Sequence, residues 1–66
     1  MKNRLTVIRA ELKISQEVLA SKAGISRTTL SAIENEKVNP DSETVVKLVK
    51  ATGKPASEIF FDFDVV

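Results

Sequence analysis

The apolar residues of this chain recur at helical spacing in short bursts, and a capping residue or a breaker brackets nearly every burst. That punctuation constrains the fold more than any other feature. Leu5, Ile8 and Leu12 stand at i, i+3 and i+7, one face of a helix. Asn3 is its expected N-cap, so a first helix is predicted over roughly 4–12. Lys13-Ile14 is a short connection, with Ile14 turned inward. Ser15 caps the next helix, predicted over 16–23, because its hydroxyl can accept from a free first-turn amide. Glu17 places a negative charge where the helix dipole favours one. Leu19, Ala20 and Ala23 form the inward stripe, and Gly24 ends the helix in the left-handed conformation that glycine adopts without steric cost. Ser26 caps a third helix over 27–34, with Leu30 and Ile33 inward; Asn35 is expected to take the left-handed turn that ends it. Val38-Asn39-Pro40 reads as a loop. Asp41 caps a fourth helix with Val45, Leu48, Val49 and Thr52 inward, stopped by Gly53. Pro55 suits the first turn of a short fifth helix that buries Ile59 and Phe60. The fold class that follows is all-α with five helices. Phe61-Asp62-Phe63-Asp64-Val65 alternates strictly, which is strand periodicity, so a short C-terminal β-strand is expected there.

Composition removes several function classes. The 66 residues include neither cysteine nor histidine. A disulfide framework, a thiolate metal site and the commonest neutral-pH acid–base are therefore unavailable. No metal and no cofactor is expected. Serines, threonines and carboxylates have no histidine partner and no glycine-rich phosphate loop, so the chain does not read as an enzyme. No apolar run approaches the ~18–20 residues of a membrane span, and the first residues lack the apolar stretch of a signal peptide. The expectation is one cytoplasmic domain over 1–66. Residues 1–57 carry ten Lys/Arg against six Asp/Glu, a net of +4, while 58–66 add three acidic residues. A mildly basic body with an acidic tail permits a polyanionic partner.

The segment 15–34 holds two helices joined by about three residues that include Gly24, the arrangement of a helix-turn-helix, whose second helix enters the DNA major groove. The stretch SQEVLASKAGISRTTLSAIENEK resembles the helix-turn-helix of the lambda-repressor-like (Cro/cI, Xre) family. The matching positions are Ser15-Gln16, Leu19-Ala20, Gly24-Ile25-Ser26, Leu30 and Ile33-Glu34-Asn35. Leu5, Ile8 and Arg9 match the family's first helix, Asn39-Pro40 and KLVKATG its fourth, and Glu58-Ile59-Phe60 its fifth. The resemblance covers 2–60.

It implies a role for each matched position. Gln16 contacts a phosphate and buttresses the reading helix. Arg27, Thr28, Ser31 and Ala32 meet base edges, with Ser26 and Thr29 in the same DNA-facing set. Arginine can pair bidentately with guanine, and threonine or alanine can meet a thymine methyl. The reading positions lack the glutamine pair of some relatives, so a different operator is expected. Asn35 and Lys37 touch the sugar–phosphate backbone, Lys37 supplying salt-dependent affinity. Glu36 departs from the family, which has glycine there. Arg9 and Glu34 form a largely buried ion pair that fixes helix 3 against helix 1.

The expected function is a transcriptional regulator, a repressor, that binds double-stranded palindromic DNA as a homodimer. The dimer is expected to rest on the apolar face of helix 5, Ile59 and Phe60, and on a two-fold ribbon of the tail, with Phe61, Phe63 and Val65 on one side and Asp62 and Asp64 on the other. The reasoning is that a lone strand needs a partner and the chain shows no other convincing strand. The rival reading is an antitoxin-type module whose acidic, apolar tail docks a protein partner.

Overall fold

The computed structural model describes residues 1–61. Five helices follow one another: α1 (Leu5–Leu12), α2 (Gln16–Ala23), α3 (Arg27–Glu34), α4 (Ser42–Thr52) and α5 (Ala56–Ile59). The all-α class and the five-helix order are as predicted, and α2 and α3 begin and end where the caps place them. Ser15 accepts from the Val18 amide, Ser26 from Thr29 and Asp41 from Thr44, so each of these helices starts on a side-chain oxygen. No helix among the described residues is long and apolar enough to cross a membrane.

Leu5, Ile8, Leu19, Ala20, Ala23, Leu30, Ile33, Leu48 and Ile59 form one core, with Ile14, Ile25, Val49, Ala51 and Phe60 packed against it. α2 packs on both α3 and α4, and α5 closes over α4. The two helices of the helix-turn-helix thus pack directly on each other, and α2 also rests on α4.

Several local expectations are corrected. Asn3 is not the N-cap of α1: that position is Arg4, which makes no side-chain cap hydrogen bond, and the Asn3 Oδ1 accepts from the Leu5 amide at 3.1 Å from one residue further out. Leu12 is 39% exposed instead of inward. Lys13 takes a left-handed conformation that ends α1, and the chain folds back so that Ile14 packs against the core in its place. Ile25 does the same after Gly24. At the end of α3 the left-handed residue is Glu36, with φ of 60°, and not Asn35, whose φ is −87°. Pro55 sits one position before α5, in extended conformation, and not inside its first turn. Val45 and Phe60 are half-buried.

The C-terminal strand expected over 61–65 falls within the described residues only at Phe61. Phe60 pairs with Asn3 in an antiparallel bridge. The Arg4 amide donates to the Ile59 carbonyl and the Phe61 amide to the Lys2 carbonyl, both at 2.9 Å. The start of the tail therefore finds its backbone partner within the same chain. The N-terminal residues lack strand periodicity, which is why the sequence did not advertise them. Asp62, Phe63, Asp64 and Val65 lie outside the described residues.

Candidate nucleic-acid interface

The Ser15 cap makes Gln16 the first residue of α2, and the Ser26 cap makes Arg27 the first residue of α3. Gly24 turns the chain between them with φ of 72°. Two side chains from two helix starts are thereby brought together. The Arg27 Nε donates to the Gln16 Oε1 at 3.3 Å, and the Gln16 Nε2 donates to the Glu34 Oε1 at 3.0 Å.

Glu34 is the inner end of this chain of contacts. Arg9 donates from Nε to its Oε2 at 2.8 Å and from Nη2 to its Oε1 at 3.0 Å. The Thr6 hydroxyl donates to Oε1 at 3.5 Å. The Glu34 side chain is 5% exposed and that of Arg9 18%. The hydrogen bond to Glu34 holds the Arg9 guanidinium above its ordinary range, against the opposing effect of burial, and the carboxylate charge acts in the same direction as the hydrogen bond. The predicted Arg9–Glu34 pair thus exists, and a relay of Arg9, Glu34, Gln16 and Arg27 ties α1, α3 and α2 to the exposed guanidinium. Its last two links were not apparent from spacing.

Gln16, Arg27, Thr28, Ser31, Ala32, Asn35 and Lys37 line one open depression on the outer surface of α2 and α3. Seven of the nine residues expected to face DNA are therefore gathered on one surface. Ser26 and Thr29 lie outside this lining. The Ser26 Oγ accepts from the Thr29 amide at 3.0 Å and donates to the Thr29 Oγ1 at 2.8 Å, so the two hydroxyls are engaged with the cap of α3. Asn35 donates from Nδ2 to the Ser31 Oγ at 3.3 Å. The depression carries two cationic side chains and no carboxylate. Its walls are otherwise amides, hydroxyls and the methyls of Thr28 and Ala32, a set matched to phosphate oxygens and base edges and lacking a nucleophile–base pair. Among the described residues no acidic cluster is grouped to hold a metal ion.

Asn3 was not singled out as a site residue beyond its cap. Its Nδ2 donates to the Ile33 carbonyl at 3.0 Å, so it ties the N-terminal segment to the end of α3. Nothing in spacing signals this; it depends on the bridge to Phe60. Of the residues assigned to a dimer surface, Ile59 is 0% exposed and belongs to the domain's own core. It is an inward residue of a one-turn helix and leaves no face for a partner. Phe60 and Phe61 are half-buried, and Phe63 and Val65 lie outside the described residues.

Comparison with known proteins identifies the family. The family described as Helix-turn-helix matches residues 7–59. An uncharacterised helix-turn-helix-type transcriptional regulator of Methanocaldococcus jannaschii is 42% identical over 60 residues, which are 91% of each chain. The helix-turn-helix-type transcriptional regulator PuuR of Escherichia coli is 39% identical over 57 residues, 86% of this chain and 31% of PuuR. The immunity repressor protein of Bacillus phage phi105 is 39% identical over 56 residues, 85% of this chain and 39% of the repressor. The chain spans nearly all of the archaeal relative and less than half of the other two. It belongs to the Cro/cI-like (Xre) helix-turn-helix family, whose members are DNA-binding transcriptional regulators and not enzymes.

Proposed function

We propose that this chain is a cytoplasmic repressor that binds a palindromic operator as a homodimer, with α3 in the major groove. The observation that carries the reading is the shared depression on α2 and α3, where Arg27, Thr28, Ser31 and Ala32 stand together and Gln16, Asn35 and Lys37 flank them. Arg27 reads a guanine, and the small side chains at 28, 31 and 32 let the helix approach closely enough to meet thymine methyls. Gln16, Asn35 and Lys37 fix the register on the phosphates. Ser26 and Thr29 stand at the N-terminal end of α3, where a phosphate is favoured by the helix dipole.

A single reading helix covers half a site, and pairing about a two-fold axis supplies the second half and matches a palindrome. The dimer reading rests on Phe60 and Phe61 at the chain's edge and on the apolar side of the alternating tail, Phe63 and Val65. Ile59 supports this surface from beneath without joining it.

Selection of bound duplexes from a random pool tests the function. Recovery of an inverted repeat with half-sites about one helical turn apart is expected. Recovery of no preferred sequence would overturn the reading. Sedimentation of the full chain and of a chain lacking residues 61–66 tests the dimer: the full chain is expected to be dimeric at micromolar concentration and the shortened one monomeric. A shortened chain that stays dimeric removes the tail from the interface. A full chain that is monomeric and binds a second protein through the tail replaces the homodimer with a docking module.

A further inference from the structure

We propose that Glu36 limits the affinity of this protein for DNA, acting as a fixed negative charge inside the phosphate-contacting turn. The inference rests on the DNA-binding reading of the α2–α3 surface. Glu36 stands between Asn35 and Lys37, both of which line the depression. It is exposed, and among the described residues it takes part in no salt bridge. The other carboxylate at this end of α3, Glu34, is neutralised by Arg9 at 2.8 Å. Glu36 is therefore an acid without an ion-pair partner, flanked in sequence by two lining residues though not itself part of the lining.

Its backbone is held by two hydrogen bonds. The Glu36 amide donates to the Ile33 carbonyl at 3.0 Å and the Lys37 amide to the Ala32 carbonyl at 2.9 Å. Together they form a Schellman turn, in which the residue after the cap must be left-handed. Glu36 holds φ of 60°, a conformation that favours glycine and penalises a Cβ. The site tolerates a costly residue that also repels the polyanion it meets. The carboxylate offsets part of the attraction of Lys37 for phosphates.

Fluorescence anisotropy with a labelled random-sequence duplex tests this, because backbone contacts need no particular sequence. Glu36→Gln removes the charge and keeps the side-chain length. It is expected to tighten binding about two- to fivefold near 0.1 M salt, the size of one unit-charge interaction across several ångströms of water. It should also steepen the dependence of log K on log salt by up to about one unit. Glu11→Gln makes the same change of net charge on α1, beside Arg4 and Lys54 and away from the depression, and is expected to change binding much less. Equal affinity and equal salt slope for wild type and Glu36→Gln would overturn the proposal, as would an equal gain from Glu11→Gln. If no variant and no wild-type chain binds duplex at low salt, the DNA reading fails and the proposal falls with it.

Discussion

Arg9 grips both carboxylate oxygens of Glu34, from Nε at 2.8 Å and from Nη2 at 3.0 Å. The fork geometry suits a guanidinium and a carboxylate, and lysine could not reproduce it. The pair joins α1 to the last turn of α3. Because the Gln16 Nε2 donates to the Glu34 Oε1 and the Arg27 Nε donates to the Gln16 Oε1, the orientation of the exposed Arg27 guanidinium is tied to a largely buried ion pair.

Removal of one partner is expected to be costly. Glu34→Ala leaves the Arg9 charge partly buried, with a loss of about 3 kcal/mol, the low end for broken buried pairs because Arg9 keeps some solvent contact. A chain of this size has only about 3–10 kcal/mol in total, so urea denaturation should show a large fall in midpoint. Replacement of both residues by leucine is expected to recover most of the loss, since a well-packed apolar pair avoids desolvation. The raised Arg9 pKa gives a stabilisation that is present below the ordinary arginine value and is lost only as pH rises through the higher folded value. The pair's arginine therefore adds no pH dependence at neutral or acidic pH. An unchanged midpoint for Glu34→Ala would show that the pair does not hold α3.

DNA binding should separate reading from grip. Arg27→Ala is expected to cost about 1–3 kcal/mol on the selected operator and to relax preference at one base pair. Lys37→Ala should weaken all duplexes alike and reduce the salt slope by about one unit. Gln16→Ala should fall between them, because it removes a phosphate donor and also frees Arg27. Competition assays with operators altered at single positions measure all three. Unaltered base preference in Arg27→Ala would remove α3 from direct readout.

The fold was legible because its punctuation is local. Ser15, Gly24, Ser26 and Asp41 each act within one turn of their own position, and α2 and α3 were bounded correctly from them. Leu12 was misplaced because periodicity continues to the end of a helix whether or not anything packs there. The left-handed Lys13 hands the inward position to Ile14, and a lysine gives no warning of that turn. Asn35 was expected to take the turn at the end of α3 because asparagine tolerates it. The hydrogen bonds from Glu36 and Lys37 instead require the left-handed residue one place later. The depression was readable residue by residue through the family resemblance, whereas the Gln16–Arg27 contact depends on how two helix starts meet. Ile59 showed the limit of apolar pattern: it marks burial, and does not say whether the covering surface is the same chain or another.

Asp41 carries a pH prediction. Its Oδ1 accepts from the Thr44 amide at 2.8 Å, and hydrogen bonding to Thr44 holds its carboxyl below the ordinary aspartate value. A depressed folded pKa contributes stability that is fully present above the unfolded value and is lost as pH falls through the folded one. Melting temperature should therefore fall on acidification below about pH 4 partly through this cap. Asp41→Asn keeps a good cap without the charge and is expected to reduce that part of the acid sensitivity while leaving the neutral-pH fold intact. Identical acid profiles for the two proteins would show that the cap contributes no proton linkage.

Helix ends give the last prediction. Four described helices end on a left-handed residue, and two of these, Lys13 and Glu36, are not glycine. A side chain in that conformation costs about 1–2 kcal/mol, offset in part because glycine adds about 0.4–1 kcal/mol of freedom to the unfolded chain. Lys13→Gly should therefore raise stability by roughly 0.5–1 kcal/mol, which in a domain this small moves the melting point by about 2–8 °C. Gly24→Ala should do the reverse by a similar amount. A Cβ at Gly24 would meet no atom within 4 Å, so its cost is backbone conformation alone and not a clash. The Lys13 amide bonds to the Ala10 carbonyl and the Ile14 amide to that of Arg9; neither bond involves the lysine side chain, so glycine preserves the turn. Thermal melts of the two variants should displace in opposite directions. A drop in melting point for Lys13→Gly would mean that the lysine side chain contributes more at this helix end than its strained backbone costs.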